Sequence, residues 1–101
     1  MEKSHFVYLL TSGRNGTLYV GVTNNLVRRV AEHKAKQVSG FTRRYGVTDL
    51  VWFETHTSID AAILREKQIK AWKREWKVNL FRESNPNWSD LYPGLTGGIW
   101  T

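Results

Sequence analysis

The sequence predicts an α+β fold: a small three-stranded antiparallel sheet flanked by helices, in the order β-β-α-β-α-α. Three observations carry this. Two short runs of strand-forming residues, 5–10 and 17–22, flank a loop of turn residues, the pattern of an antiparallel hairpin. The second run turns at Thr23-Asn24-Asn25 into an amphipathic helical pattern, and Thr and Asn are residues whose side-chain oxygens cap a helix start. A third run, 50–55, is rich in Val, Trp and Phe and leads into a long helical stretch from residue 59.

In residues 5–10, Phe6, Tyr8 and Leu10 share one face and His5, Val7 and Leu9 the other. A hairpin loop centred on Gly13-Arg14 sets Tyr8 opposite Tyr19 and keeps both strands in use. The first helix is expected over 25–37. At about 100° per residue, Leu26 and Val30 point one way, with Val27 and Ala31 beside them. Arg29 and His33 lie on the flank of that stripe, one turn apart. Ser39-Gly40 ends the helix, and 41–49, carrying Arg43, Arg44 and Tyr45, reads as a loop.

Thr57 or Ser58 caps the next helix, with Asp60 in its first turn. That helix runs from Ile59 to at least Trp72, and a segment over 72–83 continues it or kinks away. Beyond Asn85-Pro86 the chain reads as loop, with Trp88 and Leu91-Tyr92 packing back as a cover. Residues 1–93 form the domain, and 94–101 read as a flexible tail. Trp72 and Trp76, one turn apart, read as core. His5 and His56 match no motif.

At 101 residues the chain is one domain, large enough to bury a core without disulfides or structural metal. The absence of cysteine excludes a disulfide framework and a zinc ribbon. No stretch reaches the roughly 18–20 apolar residues of a membrane span, and the N-terminus runs directly into a strand pattern. A soluble cytoplasmic protein is expected. Fifteen Lys and Arg against nine Asp and Glu give a net charge of +6, which favours polyanion partners.

The second helix carries a carboxylate in an unusual position. Ile59, Ala62, Ile63 and Ile69 fall within about 60° of one direction, and Glu66 sits in the middle of that stripe. An ionised group on an apolar face must be paired, hydrogen-bonded or bound to metal. Lys70, one turn on, is an available partner; a divalent-metal ligand and an acid–base group are the other readings. Lys70 and Lys73 make the face basic beyond Glu66, a suitable approach for a phosphate backbone, as are Arg43 and Arg44.

Together these residues resemble the GIY-YIG nuclease superfamily, most closely its small stand-alone bacterial members. The first signature stands as Val7-Tyr8-Leu9 and the second as Tyr19-Val20-Gly21. The family's helix Arg matches Arg29 within LVRRVAEH, and its metal-binding Glu matches Glu66 within LREKQIKAWKREW. Asn79 matches the Asn that follows, in a supporting role. His33 matches a His found in a subset that includes structure-selective nucleases. Neither signature is literal, and Val22 stands where some repair members carry a lysine.

The resemblance covers roughly 4–92 and implies a one-metal endonuclease acting on DNA, with repair or recombination as its setting. Glu66 would hold Mg²⁺ (or Mn²⁺), and Arg29 would hold the phosphate as charge develops. Tyr19, aided by Tyr8 or His33, would take a proton from the attacking water. An ordinary phenol titrates near 10, so a neighbouring cation must lower it. A nucleic-acid-binding module on the same fold is the rival reading, and a protein-interaction domain with a basic face is a third. A homodimer or a protein partner would enlarge the substrate surface, though no residue pattern argues for either.

Overall fold

The computed structural model describes residues 4–38 and 40–96. The elements are β1 (His5–Thr11), β2 (Leu18–Thr23), α1 (Leu26–Lys34), α2 (Phe41–Tyr45), β3 (Asp49–His56), α3 (Ile59–Ala71), α4 (Arg74–Asn79) and α5 (Tyr92–Leu95). The expected three-stranded antiparallel sheet is present, in the order β2-β1-β3. The central strand β1 is buried on both faces, which is why its apolar residues run almost without interruption. On one face Val7 and Leu9 pack with Val20, Val51, Ala62, Ile69, Phe81 and Trp88. On the other, Tyr8 and Leu10 pack with Leu26, Val30, Val47 and Leu50. A bulge at Val51, opposite the Leu9–Leu10 step, puts the consecutive Val51 and Trp52 on the same face while Leu50 and Phe53 serve the other.

The hairpin register differs from the expected one. Tyr8 pairs with Gly21, and Leu10 pairs with Tyr19. Side-chain volume explains the shift: a Cβ at position 21 would lie 2.8 Å from Tyr8 Cε2 and closer still to Cζ and Oη. The Tyr8 ring therefore needs a glycine across from it, and only this register supplies one. Asn15, at φ 60°, takes the left-handed turn position that Asn tolerates.

Helix α1 starts at Asn25, whose side chain accepts from Arg28 N at 3.1 Å. It ends at Lys34 rather than at the expected residue 37. Lys36 turns left-handed (φ 57°), and its N–H and that of Gln37 close back on the carbonyls of His33 and Glu32. The expected loop over 41–49 contains the short helix α2, bracketed by Gly40 (φ 90°) and Gly46 (φ 63°). Ser58 caps α3 through Ala61 N. The chain kinks after α3 because Trp72 and Lys73 are extended, and α4 leaves in a new direction.

Trp88 returns to the core and meets Phe81 edge-on, with centroids 5.0 Å apart. Leu91 N donates to Leu50 O, and Leu95 packs on the α1 face, so the expected domain end after residue 93 falls inside α5. Residues 97–101 of the expected tail lie outside the described residues. Among the described residues no helix is long and apolar enough to cross a membrane.

Candidate active site

Four of the five residues expected to act in catalysis surround one region beside edge strand β2. Tyr8, on β1, sends its ring under Gly21 to α1, where its Oη lies 3.2 Å from His33 Nε2. His33 Nδ1 lies 3.0 Å from Thr42 Oγ1, so α2 anchors the imidazole from the other side. Tyr19 stands beside both, its ring centroid 6.4 Å from Tyr8 and 5.6 Å from His33. Arg29, one turn before His33, lines an open cleft of about 610 Å³ with Tyr19, His33, Gln37, Val38, Phe41 and Thr42.

Burial sets the electrostatics. It pushes the Tyr8 phenol up from its ordinary range, and Tyr19 and Glu66 add to this while Arg29 opposes it. Burial also pushes the His33 imidazole down, assisted by Arg29 and opposed by Glu32. Tyr8 therefore keeps its proton, and His33 is neutral at pH 7. A phenol is the better donor of the pair, so Tyr8 donates to Nε2. The imidazole proton is then on Nδ1 and is donated to Thr42 Oγ1. Arg29 is partly exposed and meets Glu32 at 3.6 Å, a screened contact that leaves its guanidinium available to the cleft.

Glu66 approaches from the opposite face, on α3, which packs on β1 and β2. It is 9 % exposed and is flanked along α3 by buried Ala62 and Ile69. Ile59 and Ile63, expected on the same buried stripe, are exposed instead. Lys70 Nζ meets the Glu66 carboxylate at 2.7 Å, and this hydrogen bond raises the Lys70 amine above its ordinary range, with Tyr19 contributing. Glu66 does not line the 610 Å³ cleft. Its charge is one of the smaller influences on the Tyr8 phenol, behind burial, Tyr19 and Arg29.

The remaining expected site residues lie elsewhere. Arg43 and Arg44 are exposed on α2, beside the cleft that Phe41 and Thr42 line. Lys73 lies at the kink and lines a separate cleft of about 480 Å³ with Arg74, Arg82 and Trp88. Asn79 lines a third groove with Trp72, Trp76 and Leu80, and its side chain makes no hydrogen bond among the described residues. Thr42 is the residue that sequence reasoning missed. Its fragment of helix is too short for any periodicity, and only the flanking Gly40 and Gly46 could have bracketed it.

The model of the GIY-YIG catalytic domain matches residues 4–79. The chain belongs to this family, whose members define a class of nucleases with nucleic acid as their ligand. Among curated proteins it is similar to a UPF0213 protein of Natronomonas pharaonis, 41% identical over 79% of this chain and 93% of that protein. A UPF0213 protein of Haloquadratum walsbyi is 37% identical over 82% and 92%. The solution NMR structure of a UPF0213 protein from Bacillus halodurans shares the fold with a TM-score of 0.53 and 26% identity. It is matched over 89% of this chain and 95% of that one.

Proposed function

We propose that this chain is a metal-dependent endonuclease that hydrolyses DNA phosphodiester bonds. The observation that supports the reading best is the convergence of Tyr19, Arg29 and His33 on one open cleft, with the buried Tyr8 hydrogen-bonded to His33 behind them. Arg29 binds a phosphate oxygen and stabilises the charge that builds on it during attack. Tyr19 is the proton acceptor for the attacking water. Both nitrogens of His33 are engaged, and the Tyr8 phenol is buried and raised, so Tyr19 is the phenol facing the cleft. The Tyr8–His33–Thr42 chain orients that phenol and keeps the cleft wall neutral.

The donor set fits a hard divalent cation. Mg²⁺ is commonly held by one or two carboxylates, with waters and substrate phosphates completing its shell. Glu66 is a single carboxylate, and among the described residues no group of three metal-binding side chains surrounds it. It would therefore share the ion with the substrate and with water. A bound Mg²⁺ or Mn²⁺ supplies positive charge to the phosphate and the leaving oxygen. Lys70 holds the Glu66 carboxylate in place through a 2.7 Å contact. The cysteine-free composition fits the reducing cytoplasm as the place of action.

The test is cleavage of labelled single-strand, duplex, flap and four-way-junction DNA with Mg²⁺, with Mn²⁺ and with EDTA, beside Glu66→Gln. Metal-dependent cutting that Glu66→Gln abolishes while binding persists is the expected result. Salt-sensitive binding without cutting under any metal would overturn it in favour of a binding module.

A further inference from the structure

The described aromatic residues range from buried to exposed, and those left exposed are Phe41, Tyr45 and, away from the cleft on α4, Trp76. Tyr8 and Phe81 are fully buried, and Trp88 nearly so, as core residues should be. Phe41 and Tyr45 are 45% and 48% exposed, although they sit on one short helix and touch each other with centroids 4.8 Å apart. Phe41 also stacks on Tyr19, at 6.3 Å with ring planes 25° apart. The three rings form a continuous series that leads from the candidate base out to solvent. Cations follow the same line: Arg29 in the cleft, exposed Arg43, and Arg44 with its guanidinium 5.6 Å from the Tyr45 ring. Gly40 and Gly46, both at positive φ, let the chain enter and leave α2 abruptly, so the rings project from a compact turn.

We propose that Phe41 and Tyr45 form a stacking platform for an unpaired base next to the scissile phosphate, which makes DNA with an unstacked nucleotide at the cut site the preferred substrate. This rests on the nuclease reading above. A duplex hides the faces of its bases in the stack and offers proteins only groove edges and phosphates. Exposed ring faces gain from DNA chiefly when a base is free to lie on them, and such stacking is tolerant of sequence because every base has a π-face. Arginines beside the rings hold the phosphates on either side of that base and tie affinity to ionic strength. Phe41 lines the same cleft as Tyr19 and Arg29, so the base it receives belongs to a nucleotide adjoining the bond they act on.

The experiment uses the full chain and oligonucleotides carrying 2-aminopurine, whose fluorescence is quenched on stacking. Probes are a single strand, a perfect duplex, and a duplex with one unpaired 2-aminopurine. Wild type, Phe41→Ala, Tyr45→Ala and Phe41→Trp are compared, with circular dichroism to confirm the fold of each. The expected result is quenching of the unpaired probes and not of the duplex. Phe41→Ala should bind the unpaired probes about 5- to 150-fold more weakly, the loss of one base–aromatic stack, with duplex binding unchanged and Phe41→Trp restoring the preference. Metal-dependent cutting of paired and unpaired DNA at equal rates, unaffected by Phe41→Ala, would overturn the platform while leaving the nuclease reading intact. A dimer in sedimentation that Phe41→Ala dissociates would overturn it in favour of a protein interface. Absence of both binding and cutting on every probe would overturn the nuclease reading, and the platform with it.

Discussion

Tyr8 Oη and His33 Nε2 lie 3.2 Å apart, with both groups buried and both held in their neutral forms. The contact joins the central strand to the first helix, across residues 25 positions apart in sequence. It also removes charge from the inner wall of the cleft, so that Arg29 is the dominant charge there. A phosphate entering the cleft meets one guanidinium against a neutral background, which sharpens its position.

A pH dependence of stability follows. The folded His33 resists protonation, whereas the unfolded chain takes up that proton near the ordinary histidine value of about 6.5. Below that pH the unfolded state binds more protons, so stability falls as pH drops, until the depressed folded pKa is passed. Above pH 7 the contribution is fully present. Urea midpoints from pH 8 to pH 5 should therefore decline in wild type, with a slope from this group of at most about 1.4 kcal/mol per pH unit. His33→Gln should remove that component, and an identical pH profile in the variant would refute the assignment.

Gly21 is fixed by Tyr8. A methyl group at position 21 meets the Tyr8 ring at Cε2, Cζ and Oη together, so no small rotation relieves it. Gly21→Ala should destabilise the protein by about 1–3 kcal/mol, the range for overpacking, and should lower cleavage further by displacing the phenol from His33. In a Tyr8→Leu background the same substitution should be much milder, because the ring that it strikes is gone. Equal penalties in the two backgrounds, read from denaturant midpoints, would show that the collision is relieved elsewhere.

Much of this was legible in the sequence. Strand alternation, the capping residue types at Thr23-Asn24-Asn25 and the carboxylate at position 66 of an apolar stripe led to the sheet, to α1 and to the Glu66–Lys70 pair. The hairpin register was not, because loop composition pointed to a turn centred on Gly13-Arg14, whereas the observed pairing centres on Arg14-Asn15. The deciding contact is between side-chain volume at Tyr8 and its absence at Gly21. Helix α2 was missed because five residues are too few for a period. The helical pattern past Ala71 left open whether the segment over 72–83 continues the helix or kinks away from it, and so whether Lys73 and Asn79 stay with Lys70. The extended backbone at Trp72 and Lys73 separates them.

Asn85 should matter for stability and not for catalysis. Its amide donates to Val51 O and Ser89 O, and its carbonyl oxygen accepts from Ser89 N. These bonds clamp the segment after α4 onto β3 and close the turn that holds Trp88 at φ 58°. Asn85→Ala leaves the buried Val51 carbonyl unpaired on that side, at a cost of about 1–3 kcal/mol. A melting temperature lower by about 4–8 °C per kcal/mol is expected for a domain of this size. Turnover measured well below that temperature should be unchanged.

The two tyrosines of the site should separate by the kind of damage their loss causes. Tyr19 faces the cleft and is assigned the proton transfer, a step worth about 10²–10⁴ in rate. Tyr19→Phe keeps the ring that stacks on Phe41, so binding and melting temperature should hold while the cleavage rate falls by that factor. Tyr8→Phe removes a buried donor and leaves His33 Nε2 without its partner, a loss of about 1–3 kcal/mol in stability. Its cleavage rate should fall by less than that of Tyr19→Phe, because it orients rather than accepts. Single-turnover cleavage with saturating metal, measured beside denaturant midpoints for both variants, distinguishes these roles. If Tyr8→Phe proves the slower enzyme while Tyr19→Phe remains near wild type, the proton acceptor is the buried phenol working through His33, and the roles assigned to the two residues must be exchanged.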